Sequence, residues 1–338
     1  MSVTSPTINT NKLIDKFGRQ VTYVRISVTD RCDFRCVYCM SEDMEFLPRE
    51  QVLTLEEITR LSKAFVELGV TKIRITGGEP LVRKDIVNML ADVAKLEGLD
   101  ELVITTNGSQ LVKLALPLKK AGVKRINISL DSLDAEKFKK VTRVGDLKAV
   151  LEGIQAAKKA GFEKIKLNAV ILKNRNHDEV NSLVQYAMQE GLDISFIEEM
   201  PLGAIDSHSR EEAYYSSDEI KNDIETQFDL VASTKDTGGP ARYYSVKGYD
   251  NSVGFISPHS HNFCDTCNRV RVTASGLLLL CLGQEHSMDL KRVLRSNPTD
   301  LNKVKQALIE SMEIKPKGHD FDITEQPVIF RHMSVTGG

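Results

Sequence analysis

The chain has 338 residues, 41% of them hydrophobic and 27% charged, the composition of an ordinary folded globular protein rather than a disordered or fibrous one. A formal net charge of −2 excludes a globally basic nucleic-acid binder, yet leaves room for a small anionic substrate held by a few local cations. No apolar run approaches the ~20 residues of a membrane span, and the N-terminus lacks the pattern of a secretory signal, so a cytoplasmic location and no membrane partner are expected.

Residues 1–20 are polar and expected to be loose, apart from Gly18-Arg19, which leads into Tyr23-Val24-Arg25-Ile26-Ser27-Val28. The alternation in that stretch predicts a strand. The loop leaving it carries Cys32, Cys36 and Cys39, with Tyr38 just before the last. Three closely spaced thiolates can hold three irons of a cubic [4Fe–4S] cluster and leave the fourth iron open. Short cysteine spacings suit zinc equally well. Next comes Thr54-Leu55-Glu56-Glu57, a capping box that opens a helix, with Leu55, Ile58, Leu61, Phe65 and Leu68 on one face. Gly69 ends it, and the strand Lys72-Ile73-Arg74-Ile75-Thr76 follows.

This unit repeats. Helical stretches run into Gly98, Gly122, Gly161 and Gly191, each followed by a β-rich run: Leu102-Val103-Ile104-Thr105, Arg125-Ile126-Asn127-Ile128-Ser129, Ile165-Lys166-Leu167-Asn168-Ala169-Val170 and Ile194-Ser195-Phe196-Ile197. Strands alternating with helices predict an α/β fold with parallel strands and right-handed crossovers. Polar residues after nearly every strand favour a barrel over a doubly wound sheet, because loops at the C-terminal ends of barrel strands converge on one site. Six units rather than eight imply an open, TIM-type (β/α)6 partial barrel over residues 1–202. Beyond it the rhythm breaks, and residues 203–338 read as a smaller α+β domain capping the open side.

That second region holds Cys264, Cys267 and Cys281, so the six cysteines divide into two triads with none left over. A disulfide framework is not expected in an intracellular chain. The second triad is like half a zinc ribbon, for which His259, His261 or His286 could supply a fourth ligand. Beside it, Arg269-Val270-Arg271 places two guanidiniums on one face of an extended chain, a fork suited to phosphate oxygens. Arg25 and Arg74 alternate with apolar neighbours, which makes them candidates for the barrel interior. The loop Gly77-Gly78-Glu79-Pro80 fits no nucleotide-binding glycine fingerprint.

Taken together, the Cys-x3-Cys-x2-Cys loop and Gly77-Gly78-Glu79-Pro80 resemble the signature of radical S-adenosylmethionine (SAM) enzymes. Gly18-Arg19, residues 25–32 and 73–80, Phe263-Cys264 through Arg271 and the terminal Gly337-Gly338 resemble, nearly end to end, the GTP 3′,8-cyclases of molybdenum-cofactor biosynthesis. Asp33 and Ser41 depart from that family's usual Asn and Pro, and the 41–53 loop is short, but none of these positions is a ligand.

The resemblance implies a SAM-binding [4Fe–4S] cluster on Cys32, Cys36 and Cys39 and a second [4Fe–4S] cluster on Cys264, Cys267 and Cys281 that meets the guanine. It implies SAM contacts from Tyr38, Gly78, Ser129 and Met200, and GTP contacts from Arg25, Arg74, Thr105, Lys166, Arg269, Val270 and Arg271. Those cations are expected after strands or on the cysteine loop. Gly337 and Gly338 are expected to reach the active site. The implied reaction uses a 5′-deoxyadenosyl radical to take the C3′ hydrogen of GTP, giving (8S)-3′,8-cyclo-7,8-dihydro-GTP; no side chain is implied as a catalyst. Implied partners are a flavodoxin- or ferredoxin-type reductant and, functionally, cyclic pyranopterin monophosphate synthase, the chain itself being a monomer or homodimer. Two other readings stay open: a radical SAM peptide-modifying enzyme with an auxiliary cluster, and a zinc-binding interaction module.

Overall fold

The computed structural model describes residues 12–205, 207–323 and 329–337. Strand β1 (Tyr23–Ser27) is followed by α1 (Leu55–Glu67) and β2 (Lys72–Thr76), then by α2 (Ile86–Val93) and β3 (Glu101–Thr106). Helix α3 (Leu111–Lys120) leads to β4 (Arg125–Ser129), and α4 (Ala135–Thr142) and α5 (Leu147–Lys159) to β5 (Lys164–Val170). Then come α6 (Val180–Glu190) and β6 (Asp193–Ile197). Local signals account for most of these boundaries. The Thr54 hydroxyl accepts from the Glu57 N–H while the Glu57 carboxylate accepts from the Thr54 N–H, a closed capping box on α1 worth about 1 kcal/mol. Past the end of α1, Gly69 takes φ +87°, a conformation that favours glycine.

The second region contributes α7 (Arg210–Ala213), α8 (Ser217–Glu225), β7 (Leu230–Ala232), β8 (Arg242–Val246), β9 (Ser252–Ile256), β10 (Arg269–Val272), β11 (Leu277–Leu279) and β12 (Ser287–Asp289). It closes with α9 (Leu290–Ser296), α10 (Leu301–Ser311) and α11 (Met333–Thr336). The twelve strands form one sheet in the order β12-β11-β10-β1-β2-β3-β4-β5-β6-β9-β8-β7. Strand β10 pairs parallel to β1, and β9 parallel to β6. The six predicted parallel strands therefore become eight in succession, one added at each edge. Short antiparallel strands extend both ends, and among the described residues no pairing joins β12 to β7. The result is an open, partial TIM-type barrel with its second region built onto both edges.

The strands alternate as the pleat requires. Ile73 and Ile75 of β2, like Val24 and Ile26 of β1, are fully buried in the main hydrophobic core. Their polar neighbours Lys72, Arg74, Tyr23 and Arg25 point the other way and line a central cavity.

Candidate active site

One cavity gathers the candidate residues. About 2090 Å³ of its space is free of atoms, part of it open to solvent, and all six cysteines line it.

The first triad stands on the loop after β1. The end of α4 pins that loop: the Arg35 and Val37 N–H groups donate to the Thr142 and Val141 carbonyls at 3.0 and 2.9 Å. The loop after β2 lies against it, with the Gly78 N–H donating to Thr29 O and the Glu79 N–H to Arg31 O, both at 2.8 Å. A Cβ on Gly78 would sit 2.6 Å from the Asp30 carbonyl oxygen, so this approach needs glycine. Glu79 accepts from Leu81 N (3.0 Å), Thr106 Oγ1 (2.7 Å) and Asn107 N (2.6 Å). Burial nonetheless pushes its carboxyl up to about 7. Burial likewise lifts Asp131 to about 6, although it accepts from Tyr38 Oη at 2.7 Å and Val170 N at 2.9 Å. Burial also raises the thiols: Cys39 to about 12, Cys36 with Asp131 adding, and Cys32 with Glu79 adding. Bound iron would hold these sulfurs as thiolates outright.

The second triad differs. Cys264 and Cys267 precede β10 and Cys281 follows β11. Arg19 Nη1 donates to Cys264 O at 2.7 Å, and Lys315 Nζ to Cys267 Sγ at 3.7 Å. Burial pushes the Cys267 thiol up, but Arg269 and Lys315 outweigh it and the thiol lies below its ordinary value. Of the histidines that could complete a zinc site, His259 Nε2 lies 2.8 Å from Glu199 O and His261 Nε2 2.9 Å from Asp218 Oδ1. Among the described residues no three His, Cys, Asp or Glu side chains close on a single metal-ion position. A cluster needs no such closure, because each thiolate binds a different iron.

Between the triads runs a row of cations. Register places Arg25 beside Arg271 of β10 on one side and beside Arg74 of β2 on the other. Like charges directly opposite across strands are destabilising, and burial worsens the cost. Arg74 Nε donates to Tyr23 Oη at 2.5 Å, and its Nη1 to Thr105 Oγ1 at 2.8 Å. Burial draws Arg25 down to about 10, Tyr23 opposing and Arg74 and Arg269 adding, and it lowers Arg271 strongly. Burial raises the Tyr23 phenol, but Arg74, Arg25 and Lys72 outweigh it and bring it down to about 7. One layer nearer the strand starts, Lys72 and Arg125 already share Glu101, at 2.7 and 3.2 Å. Half-buried Lys166 donates to Tyr243 Oη at 3.1 Å, and the Arg269 guanidinium stacks 4.8 Å from the Phe263 ring centroid.

All seven residues expected at GTP, Val270 included, and all four expected at SAM line this cavity. One expectation is corrected: Arg25, Arg74, Lys166, Arg269 and Arg271 lie within strands, not after them. A strand side chain can still enter the site because the barrel interior is polar here. Gly337, at φ +78°, accepts from Arg271 Nη1, and a Cβ there would overlap the Thr76 side chain. The Ser334 backbone lies near enough to Cys39 to draw its thiol down against burial, so the tail runs between the first triad and the arginine row. Gly338 lies outside the described residues.

Sequence reasoning missed several wall residues. The alternation Lys72-Ile-Arg74 puts Lys72 on the same face as Arg74, and Arg125-Ile-Asn127 does the same for Asn127. Tyr23 is signalled by its place two residues before Arg25. His319, whose Nε2 is buried without a hydrogen-bond partner, carries no periodic signal, and neither does Lys315, which stands behind the wall against Cys267 Sγ.

Comparison with known proteins agrees with this geometry. Residues 26–187 match the radical SAM superfamily and residues 192–321 the Molybdenum Cofactor Synthesis C family. A GTP 3′,8-cyclase of Saccharophagus degradans is 59% identical over 96% of this chain and 98% of its own length. Another from Ectopseudomonas mendocina is 58% identical over 98% of this chain and 100% of its own length. The chain belongs to the GTP 3′,8-cyclase family. Membership in a radical SAM family brings one [4Fe–4S] cluster and SAM, and the first triad fits both in donor set and placement. Among solved structures, Streptococcus suis SuiB bound to S-adenosylmethionine shares the fold, with TM-score 0.64 at 16% identity over 95% of this chain and 79% of that one. SuiB bound to its precursor peptide SuiA scores 0.60 at 18% identity, over 93% and 76%. Among the described residues no helix is long and apolar enough to cross a membrane.

Proposed function

We infer that this chain is a radical SAM GTP 3′,8-cyclase, converting GTP to (8S)-3′,8-cyclo-7,8-dihydro-GTP in molybdenum-cofactor biosynthesis. The observation that carries the reading is the row Arg271–Arg25–Arg74 on the cavity wall, set between two cysteine triads. Three adjacent guanidiniums need a polyanion, and a triphosphate supplies one through charge-assisted hydrogen bonds. Arg25, Arg74, Lys166, Arg269 and Arg271 hold the phosphates; Thr105 fixes Arg74, and Val270 packs beside the substrate. Tyr38, Gly78, Ser129 and Met200 line SAM. Cys32, Cys36 and Cys39 hold the first cluster, and Cys264, Cys267 and Cys281 a second one beside the guanine. When bound, the first cluster and SAM supply the one-electron cleavage that generates a hydrogen-abstracting radical. The enclosing barrel excludes water and competing C–H bonds from that radical.

The same reading places residues 1–202 around SAM and residues 203–338 around the second triad and the tail. It takes the cytoplasm as location, a flavodoxin- or ferredoxin-type protein as reductant, and cyclic pyranopterin monophosphate synthase as the next enzyme. The test is anaerobic reconstitution with iron and sulfide, followed by SAM, dithionite and GTP. Formation of 5′-deoxyadenosine and the cyclic triphosphate in equal amounts is expected; SAM cleavage that GTP neither accelerates nor converts to cyclic product would sink the assignment.

A further inference from the structure

One buried cation beside the second triad takes no part in the triphosphate row. Lys315, at the end of the turn after α10, is 1% exposed. Its Nζ donates to Leu280 O at 3.0 Å and to Cys267 Sγ at 3.7 Å. A fully buried ammonium is rare without an anion nearby, and its two hydrogen-bond partners are a neutral carbonyl and a cysteine sulfur. The anion is complete only when Cys267 serves as a thiolate ligand. Of the other cations at this triad, Arg19 is already paired with Asp15 at 2.7 Å and Arg269 belongs to the triphosphate row, which leaves Lys315, among the described residues, as the cation there with neither a carboxylate partner nor a phosphate. The first triad faces the opposite sign: Asp33 Oδ1 stands 4.0 Å from Cys32 Sγ, and Asp131 holds Tyr38 between Cys36 and Cys39.

Hydrogen bonds to the sulfurs and net charge set the potential of an iron–sulfur cluster, since a nearby cation favours the added electron and a carboxylate disfavours it. We propose that Lys315 is a tuning residue that raises the reduction potential of a second [4Fe–4S] cluster above that of the first. The inference rests on the second-cluster reading given above. Each cluster takes up one electron from an external one-electron donor, passing from the 2+ to the 1+ state. An electron entering the cavity therefore rests on the second cluster, at the substrate end, unless it is consumed at the first.

EPR-monitored redox titration of the anaerobically reconstituted full chain tests this. Two one-electron steps are expected, assigned with the Cys32→Ser/Cys36→Ser/Cys39→Ser and Cys264→Ser/Cys267→Ser/Cys281→Ser proteins, with the second-triad step higher. Lys315→Met should disfavour the reduced second cluster at least tenfold, a downward shift of about 59 mV or more for one electron, and leave the first step in place. Lys315→Arg should retain most of the unaltered potential. A second cluster titrating at or below the first in the unaltered chain overturns the proposal, as does a Lys315→Met protein whose cluster is bound at unchanged potential. If that variant holds no second cluster, the order of potentials in the unaltered chain decides. Failure of the first-triad serine protein to bind any iron would instead remove the second-cluster reading itself.

Discussion

Around Cys32, Cys36 and Cys39 the ionisable neighbours are Asp33, Glu79 and Asp131, whereas around Cys264, Cys267 and Cys281 they include Arg19, Arg269 and Lys315. Both triads offer three sulfurs to one cavity, so ligand count does not distinguish them. Their surroundings do. The carboxylate-rich shell belongs to loops after β1, β2 and β4, at the carboxyl ends of barrel strands. The cation-rich shell belongs to the chain just before β1, to β10 and to the chain leaving α10. The difference teaches that the second region does more than close the barrel: it adds Arg269, Arg271 and Lys315 to the cations at the second triad and the arginine row.

The comparison breaks most visibly at the cysteines. Serine at Cys32, Cys36 and Cys39 should abolish reductive SAM cleavage, read as 5′-deoxyadenosine, while serine at Cys264, Cys267 and Cys281 should remove about half the iron and leave SAM cleavage measurable. If the first set left cleavage intact, the roles assigned to the two triads would be wrong.

Next in size is the tail that links the two sites. Deleting Gly337 and Gly338 removes the carbonyl that Arg271 binds and the segment seated on Thr76. Folding and the iron of both triads should persist while formation of the cyclic triphosphate collapses. Gly337→Ala should act in the same direction, since φ +78° and the Thr76 side chain both oppose a Cβ. Full-length rates from the truncated protein would reduce the tail to a bystander.

The arginine row gives a smaller effect. Arg271→Ala or Arg269→Ala removes a charge-assisted contact of about 1.5–3 kcal/mol, so GTP affinity by calorimetry should fall roughly tenfold or more. Lys at either position should rescue only in part, because it lacks the planar fork. Unchanged binding in both Ala variants would detach the cationic shell from the substrate.

The finest test is a pH dependence. The Tyr23 phenol is drawn from 10.0 to about 7 by Arg74, Arg25 and Lys72 against the effect of burial. Because the folded value is depressed, phenolate formation stabilises the free protein above 10 in full, and that contribution is lost as pH falls through about 7. A bound triphosphate takes over the same cations and repels the phenolate, returning the pKa upward. GTP affinity should therefore weaken as pH rises from about 7, and Tyr23→Phe should flatten the slope. A slope identical in the two proteins would show that Tyr23 does not compete with the phosphates.

Much of this was legible in the chain. The capping box at Thr54, the alternation at residues 23–28 and 72–76 and the two cysteine spacings each encode local geometry in residues a few positions apart, and the structure keeps them. The interior direction of Arg25 and Arg74 was readable for the same reason. What escaped was Lys315, which meets Cys267 only after the chain leaves α10, and Tyr23, whose lowered pKa depends on cations from a neighbouring strand.

By itself, then, the sequence determined the βα rhythm, the two triads and the faces on which the strand cations lie, because side-chain period and turn chemistry act over short distances. Only the tertiary structure decided that β9 and β10 join opposite edges of the barrel sheet, making eight parallel strands of six. Backbone hydrogen bonds are nearly blind to residue type, so no local pattern announces which edge a late strand will take. That pairing is what sets Arg271 beside Arg25, and with it the charge of the site.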